Sequence, residues 1–231
     1  GKTPVVAHLC ELLLSHGERP AILTRGYGRT RPADGVTVVS NGQAIVAGFE
    51  SAGDEPLMLA RQLPSVPVLV GPDRFECGQH AERDFDVTVH VLDDGFQHLA
   101  LARDVDLLLI DESDLGDRVL PAGRLREPLA NAAAAHALLV TTRDAGAVAG
   151  IAQSLGVRFA FHVLRAIHTP RWLGGQTAPH AMSDRVLAFA GIARPERFFS
   201  DLVASGRIVA DTMVLADHHP FSQKDVDSIV E

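Results

Sequence analysis

The sequence predicts an α/β protein, a doubly wound and mostly parallel sheet followed by a smaller α/β lobe. Three observations carry this. Short runs rich in Val, Leu and Ile recur between segments of helical period, as in "VPVLVG", "VTVHVL", "DVDLLLI" and "HALLV". Near-continuous apolar runs of that length suit parallel strands covered on both faces by helices. Beyond about residue 160 the rhythm is lost and then resumes, which marks a second, smaller unit. With 46% hydrophobic and 22% charged residues over 231 positions, the chain can bury a sizeable core.

The elements follow in order. Val5 to Leu14 reads as a helix with Leu9, Leu12 and Leu13 on one face, stopped near Gly17. "RPAILTRG" is a short buried strand ending at Arg25. "VTVVSNGQAIV" has the pattern of a hairpin turning at Asn41-Gly42. "DEPLMLARQL" is helical, with Asp54 and Glu55 in a first turn that favours negative charge and tolerates Pro56. "VPVLVG" is a strand and "DRFECGQHAER" a helix. Three more strands lie in "VTVHVLDD", "DVDLLLIDES" and "HALLVTTRD", each a hydrophobic run ending in acid. "RFAFHVLRAIHTPRWLGGQ" reads as an extended crossing rather than another strand–helix unit. "DRVLAFAGIARPERFFSDLVASG" is a strand and a helix, and the rest a strand, a loop and the start of a helix. The expected division is a core over 1–158, an extended linker over 159–185 and an incomplete C-terminal lobe over 186–231.

Composition narrows the function classes. A net charge of −8 gives no general basic field for nucleic acid. No run approaches the roughly 20 apolar residues of a membrane span, and no secretory signal can be read. Cys10 and Cys77 lack metal spacing and suit a reducing compartment.

Five stretches could carry chemistry. Gly1-Lys2-Thr3 before a helix is either the tail of a phosphate-binding loop, with Lys on the phosphates and Thr on Mg²⁺, or a polar lead-in. Asp93-Asp94 closes a strand where open α/β sheets bind ligands, as metal-holding acids or as an Asp-Asp-Gly turn. Asp54 follows Gly53 at a helix start, the spacing of an ordinary first-turn acid. "LTRGYGRTR", "GPDR" and "LPAGRLREP" place Arg beside Gly near strand ends, where phosphate contacts are chemically suited. "ADHHPF" could be a metal site, an acid–base site or a capped turn.

Together these pieces resemble one family, the tetraacyldisaccharide 4'-kinases, which are the lipid A 4'-kinases of Gram-negative bacteria. The resemblance runs in order through "GKTP", "LTRGYGR", "GDEP", "GPDR", "VLDDGFQH", "DVDLLLID", "LPAGRLREP", "FAGIARPERFF" and "DHHPF", nearly the whole chain. "DDGFQH" and "LPAGRLREP" are the distinctive segments. The resemblance implies a P-loop NTPase-like core, ATP and Mg²⁺ as cofactors, and transfer of the γ-phosphate to the 4'-hydroxyl of a tetraacyldisaccharide 1-phosphate. It also implies a monomer held peripherally on the cytoplasmic face of the inner membrane, with a membrane segment and the front of the P-loop preceding residue 1.

Carried over by residue, it makes Gly1, Lys2 and Thr3 the surviving phosphate loop, with Arg25 and Tyr27 near the phosphates or acceptor. Thr3, Asp93 and Asp94 become the metal side. Asp54 becomes the base, with His218 as its dyad partner. Arg74, His98, Arg126 and Glu127 become substrate or active-site support. Leu215-Ala216 stands where Phe-Pro is expected before "DHHPF". Outside this family, a different P-loop kinase or ligase would account for "GKT" and the paired acids, and a nucleotide-dependent switch would need neither a base nor "DHHPF".

Overall fold

The structure is a computed structural model that describes residues 2–31, 34–167, 184–217, 219 and 221–230. The chain divides into two units, 1–162 and 163–231.

The first unit opens with α1 (Lys2–Ser15), followed by β1 (Pro20–Thr24) and β2 (Thr37–Asn41). Next come the four-residue α2 (Phe49–Ala52), α3 (Asp54–Gln62), β3 (Pro67–Val70), α4 (Arg74–Phe85) and β4 (Val89–Leu92). These strands make a sheet in the order β2-β3-β1-β4. β1 runs parallel to both β3 and β4, and β2 is antiparallel to β3 with a register shift between Val38 and Ser40.

Alternation along the strands assigns the two faces. Ile22, Val68, Val70 and Val91 join Val6, Ala7 and Cys10 of α1 and Leu59 and Ala60 of α3 in one buried cluster. Ala21, Leu23 and Leu69 point the other way and meet Cys77 and Ala81 of α4. The helices therefore cover both faces, as a doubly wound sheet requires. Burial pushes the Cys10 thiol up to about 12 and the Cys77 thiol up to about 11, so both act as small apolar core residues.

A second ladder, β5 (Leu107–Asp111), β6 (Ala137–Thr141) and β7 (Phe159–His162), is wholly parallel and packs under α5 (Ala147–Ser154). The first unit thus holds two hydrogen-bonded ladders. β7 differs from the expected extended crossing: Phe159 through His162 pair residue for residue with Ala137 through Val140. As an edge strand it is half-buried, with Phe159 and Phe161 exposed. The turn after β2 is also one residue later than expected. The Asn41 N–H donates to the Ala44 carbonyl, which places Gly42-Gln43 at the turn, and Asn41 Oδ1 accepts from the N–H groups of Gln43 and Ala44.

In the second unit β8 (Arg185–Ala190) and β9 (Ile208–Val214) pair in parallel through α6 (Pro195–Ala204), a βαβ unit followed by α7 (Gln223–Val230). Ser222 caps α7 with Asp225: the Ser222 N–H and hydroxyl both donate to the Asp225 carboxylate, which also pairs with His219 at 3.1 Å. The Ser222 hydrogen bonds, with the His219 contact, hold the Asp225 carboxyl at about 2.

Two glycines after β1 separate a conformational requirement from a steric one. Gly26 has φ +68°, and a Cβ there would overlap Val70 Cγ1; Gly28 has φ +78° with open space around it. Gly28→Ala is expected to cost about 1–2 kcal/mol, the left-handed penalty alone. Gly26→Ala is expected to cost about 2–5 kcal/mol, because the overlap adds to that penalty. Urea unfolding of the two variants measures the gap, and equal losses would contradict it.

Candidate active site

β1, β3 and β4 are parallel, so their C-terminal ends open on one edge of the sheet, where ligands bind in such folds. The N-terminus of α1 reaches the same edge and delivers Lys2 and Thr3. Lys2 Nζ pairs with Asp94 Oδ1, and Arg126 Nη1 donates to Asp94 Oδ2 at 2.7 Å. Asp94 adopts φ 55°, which turns its side chain out of the strand line toward these cations. Burial opposes its ionisation, but hydrogen bonds from Lys2 and Arg126 outweigh that and hold it below the usual carboxylate range.

Asp93 is different. It is only 4% exposed. Burial first, and then the nearby Glu55 carboxylate, push it up to about 6, with Lys2 acting the other way. Thr3 is buried, and its hydroxyl donates to Glu55 Oε1 at 3.2 Å. A buried acid, a second carboxylate and a hydroxyl thus share one pocket edge with a lysine.

Asp54 and Glu55 open α3 behind Gly53, whose φ is 86°. A Cβ on Gly53 would stand 2.8 Å from the Tyr27 carbonyl oxygen, so the glycine lets the loop after β1 lie against the start of α3. That loop carries Arg25 and Tyr27, both exposed. Arg74, the first residue of α4, is 4% exposed and donates from Nη1 to the Gly71 and Pro72 carbonyls at 3.3 and 3.2 Å. Its buried Nε makes no hydrogen bond. Burial, with the like charge of Arg25, lowers its pKa, while Asp93 and Asp94 act to raise it. Two guanidiniums and two carboxylates therefore feel one another across this edge.

His98 is half-buried in the loop after Asp94. Glu127 accepts from Gln97 Nε2 at 2.6 Å and from Asn131 Nδ2 at 2.8 Å. Consecutive residues Arg126 and Glu127 therefore grip the Asp93–His98 loop at two points. The "LPAGR" loop that delivers them is folded on itself. Asp117 accepts from the Arg118 N–H and the Arg124 guanidinium, and a Cβ on Gly123 would collide with the Arg118 backbone.

Of the residues expected at the site, Lys2, Thr3, Asp93, Asp94 and Arg126 come together, and Glu127 joins them through Gln97. Arg25, Tyr27, Asp54 and Arg74 border the same edge. Gly1 and His218 lie outside the described residues. The oxygens of Asp94 face Lys2 and Arg126 rather than Thr3. Glu55, which sequence reasoning passed over, stands beside Thr3 and Asp93; its signal was its place directly after Asp54. Gln97 was also missed, though it lies inside "DDGFQH". Among the described residues no cluster of three or more His, Cys, Asp or Glu forms a metal cage.

A doubly wound sheet with Lys, a hydroxyl, a buried acid and two further carboxylates at its strand ends defines a P-loop kinase-like α/β protein. The comparisons narrow the class. The family model described as tetraacyldisaccharide-1-P 4'-kinase matches residues 1–231. The tetraacyldisaccharide 4'-kinase of Geobacter metallireducens is 40% identical over 98% of this chain and 67% of its own length. That of Rhodopseudomonas palustris is 41% identical over 100% of this chain and 64% of its own length. The crystal structure of LpxK from Aquifex aeolicus in complex with ATP matches with a TM-score of 0.76 and 34% identity, over 96% of this chain and 69% of that one. The chain belongs to the tetraacyldisaccharide 4'-kinase family, and it spans about two thirds of the length of the relatives it matches.

The Asp93 environment makes a signed prediction. Its ordinary value is 3.8 and its folded value about 6. The folded chain therefore binds this proton more tightly than the unfolded chain, so Asp93 subtracts stability above about pH 6 and nothing well below pH 4. Asp93→Asn is expected to stabilise the ligand-free protein by about 1–3 kcal/mol at pH 8, with the gain vanishing toward pH 4. Urea unfolding at several pH values checks this; a gain that does not shrink with falling pH would contradict it.

Proposed function

We propose that the protein transfers the γ-phosphate of ATP to the 4'-hydroxyl of tetraacyldisaccharide 1-phosphate. The observation that carries this is the convergence of Lys2, Arg126, Asp94, Asp93, Glu55 and Thr3 at the strand ends. Phosphoryl transfer is mostly positioning and charge neutralisation, and this edge offers both signs of charge.

Lys2 is the phosphate clamp: the ammonium that now rests on Asp94 can turn to the β- and γ-oxygens. Thr3 and Asp93 would hold Mg²⁺ together with the phosphate oxygens and water, with Glu55 next to them. A nucleotide-bound Mg²⁺ needs few protein ligands, so the lack of a protein cage among the described residues does not oppose this. An acid that burial holds at about 6 also fits a site completed by a cation. When bound, the metal neutralises charge developing on the transferring group. Asp94 fixes Lys2 and Arg126; Arg25 and Tyr27 serve the phosphates or the acceptor, while Arg74, His98 and Glu127 support the substrate and active site. Asp54 is assigned as the base for the 4'-hydroxyl proton, with His218 as its dyad partner.

The acyl chains of the acceptor favour work at a membrane surface, and the family resemblance supports a peripheral monomer on the cytoplasmic face of the inner membrane; the net charge of −8 speaks against a nucleic-acid partner. No helix among the described residues is long and apolar enough to cross a membrane.

In the full-length protein Asp54→Ala is expected to lower kcat by about 10²–10⁴-fold with the ATP Kd nearly unchanged, since a base acts on the acceptor and not on the nucleotide. His218→Ala should lower kcat in the same direction. Steady-state kinetics with equilibrium ATP binding reads both, and a near-normal kcat for Asp54→Ala would remove it as the base.

A further inference from the structure

We infer that Arg103 is a positioning residue for phosphoryl transfer: its guanidinium holds the loop that follows Asp93-Asp94 and so sets how that loop meets Arg126 and Glu127. The inference rests on the kinase reading above.

Arg103 lies outside every motif singled out in the sequence, yet its side chain is only 14% exposed and that of its partner Asp106 is 15% exposed. Each of its five N–H donors has an acceptor. Nε donates to Asp106 Oδ1 at 2.6 Å and Nη2 to Asp106 Oδ2 at 3.2 Å, a two-pronged ion pair. Nη1 donates to the carbonyls of His98 at 2.5 Å and Leu101 at 3.0 Å, and Nη2 to that of Phe96 at 3.5 Å. One planar cation thus gathers three carbonyls of a loop whose own backbone bonds are short turns, such as His98 N–H to Gly95 and Leu99 N–H to Gln97.

The anchor is firm. Asp106 immediately precedes β5, its N–H donates to His136 Nδ1 at 2.9 Å, and its carbonyl accepts from the His136 N–H at 2.9 Å. The loop is therefore tied to the foot of the β5–β6 ladder. Its other end is set by Gly95, where a Cβ would stand 2.6 Å from Leu92 Cβ. Between these points lie Gln97, which reaches Glu127, and His98. Without Arg103 the loop would keep Gly95, the packing of Phe96 on the Ile110–Val140 core and the contacts of Asp94 and Gln97 with Arg126 and Glu127, none of which fixes the backbone between Gln97 and Leu101. Lysine cannot substitute, because three donors on a tetrahedral nitrogen do not span a carboxylate and three carbonyls.

The test uses the full-length protein, with phosphate transfer from ATP to the lipid disaccharide and hydrogen exchange of the 95–101 amides as readouts. Arg103→Lys is expected to lower kcat by about 10–100-fold, to leave KM for ATP within about threefold, and to accelerate exchange in the loop. Removing Arg103 alone would orphan a buried carboxylate. The double variant Arg103→Met with Asp106→Leu avoids this and should show the same kcat loss in a folded protein. A kcat per folded molecule near wild type in both variants, or a raised KM at unchanged kcat, overturns the inference. If the wild-type protein transfers no phosphate to the lipid, the kinase reading fails instead. Loop exchange then still judges the clamp, and unchanged exchange in Arg103→Lys refutes it.

Discussion

A carboxylate buried to 4% exposure must have a cation or a proton, and Asp93 sets that condition for the whole ligand edge. Glu55 beside it makes the need sharper, and Lys2 partly meets it. Parallel pairing of β1 with β3 and β4 puts the ends of three strands on one side, and α1 and α4 pack on opposite faces. Lys2 can therefore come from the start of α1 and Arg74 from the start of α4, while Arg126 arrives from a loop folded over Gly123. The sheet works as a frame that gathers opposite charges at one edge, with Asp93 and Arg74 buried and Lys2, Asp94 and Arg126 open to solvent.

The two adjacent acids have opposite environments and so suit different tasks. Asp94 is turned outward at φ 55° and held ionised by two cations. Asp93 stays in the strand line, buried, with its affinity for a proton raised. A triphosphate would offer oxygens to the cations now resting on Asp94. A divalent ion would offer charge to the acid that lacks it. The site is therefore complementary to a metal nucleotide rather than to either component alone, which is the logic of phosphoryl transfer.

Much of this was legible in the sequence because buried parallel strands and strand-end acids leave local signals. "VPVLVG" and "VTVHVLDD" announce both a strand and its ligand end. β7 was legible only as an extended segment: its pairing with β6 was not, because an edge strand with Phe159 and Phe161 exposed carries no local signal of its partner. The four-residue α2 is too short to show a period. Glu55 was absorbed by its explanation as a first-turn acid, and only the fold shows its reach to Thr3. Arg103 was invisible because its acceptors are mostly backbone carbonyls, which no side-chain pattern encodes. The acids and the lysine could be found by type; the partners that hold them in place could not.

The charge cluster at the strand ends is proposed to move a phosphate onto a lipid sugar. The most direct measurement gives the full-length protein ATP labelled at the γ-phosphate with tetraacyldisaccharide 1-phosphate, and then locates the label by mass spectrometry and NMR. One labelled phosphate is expected on the 4'-oxygen of the disaccharide, appearing in step with ADP. Labelled inorganic phosphate with the lipid unmodified, or label at any other position, would contradict it.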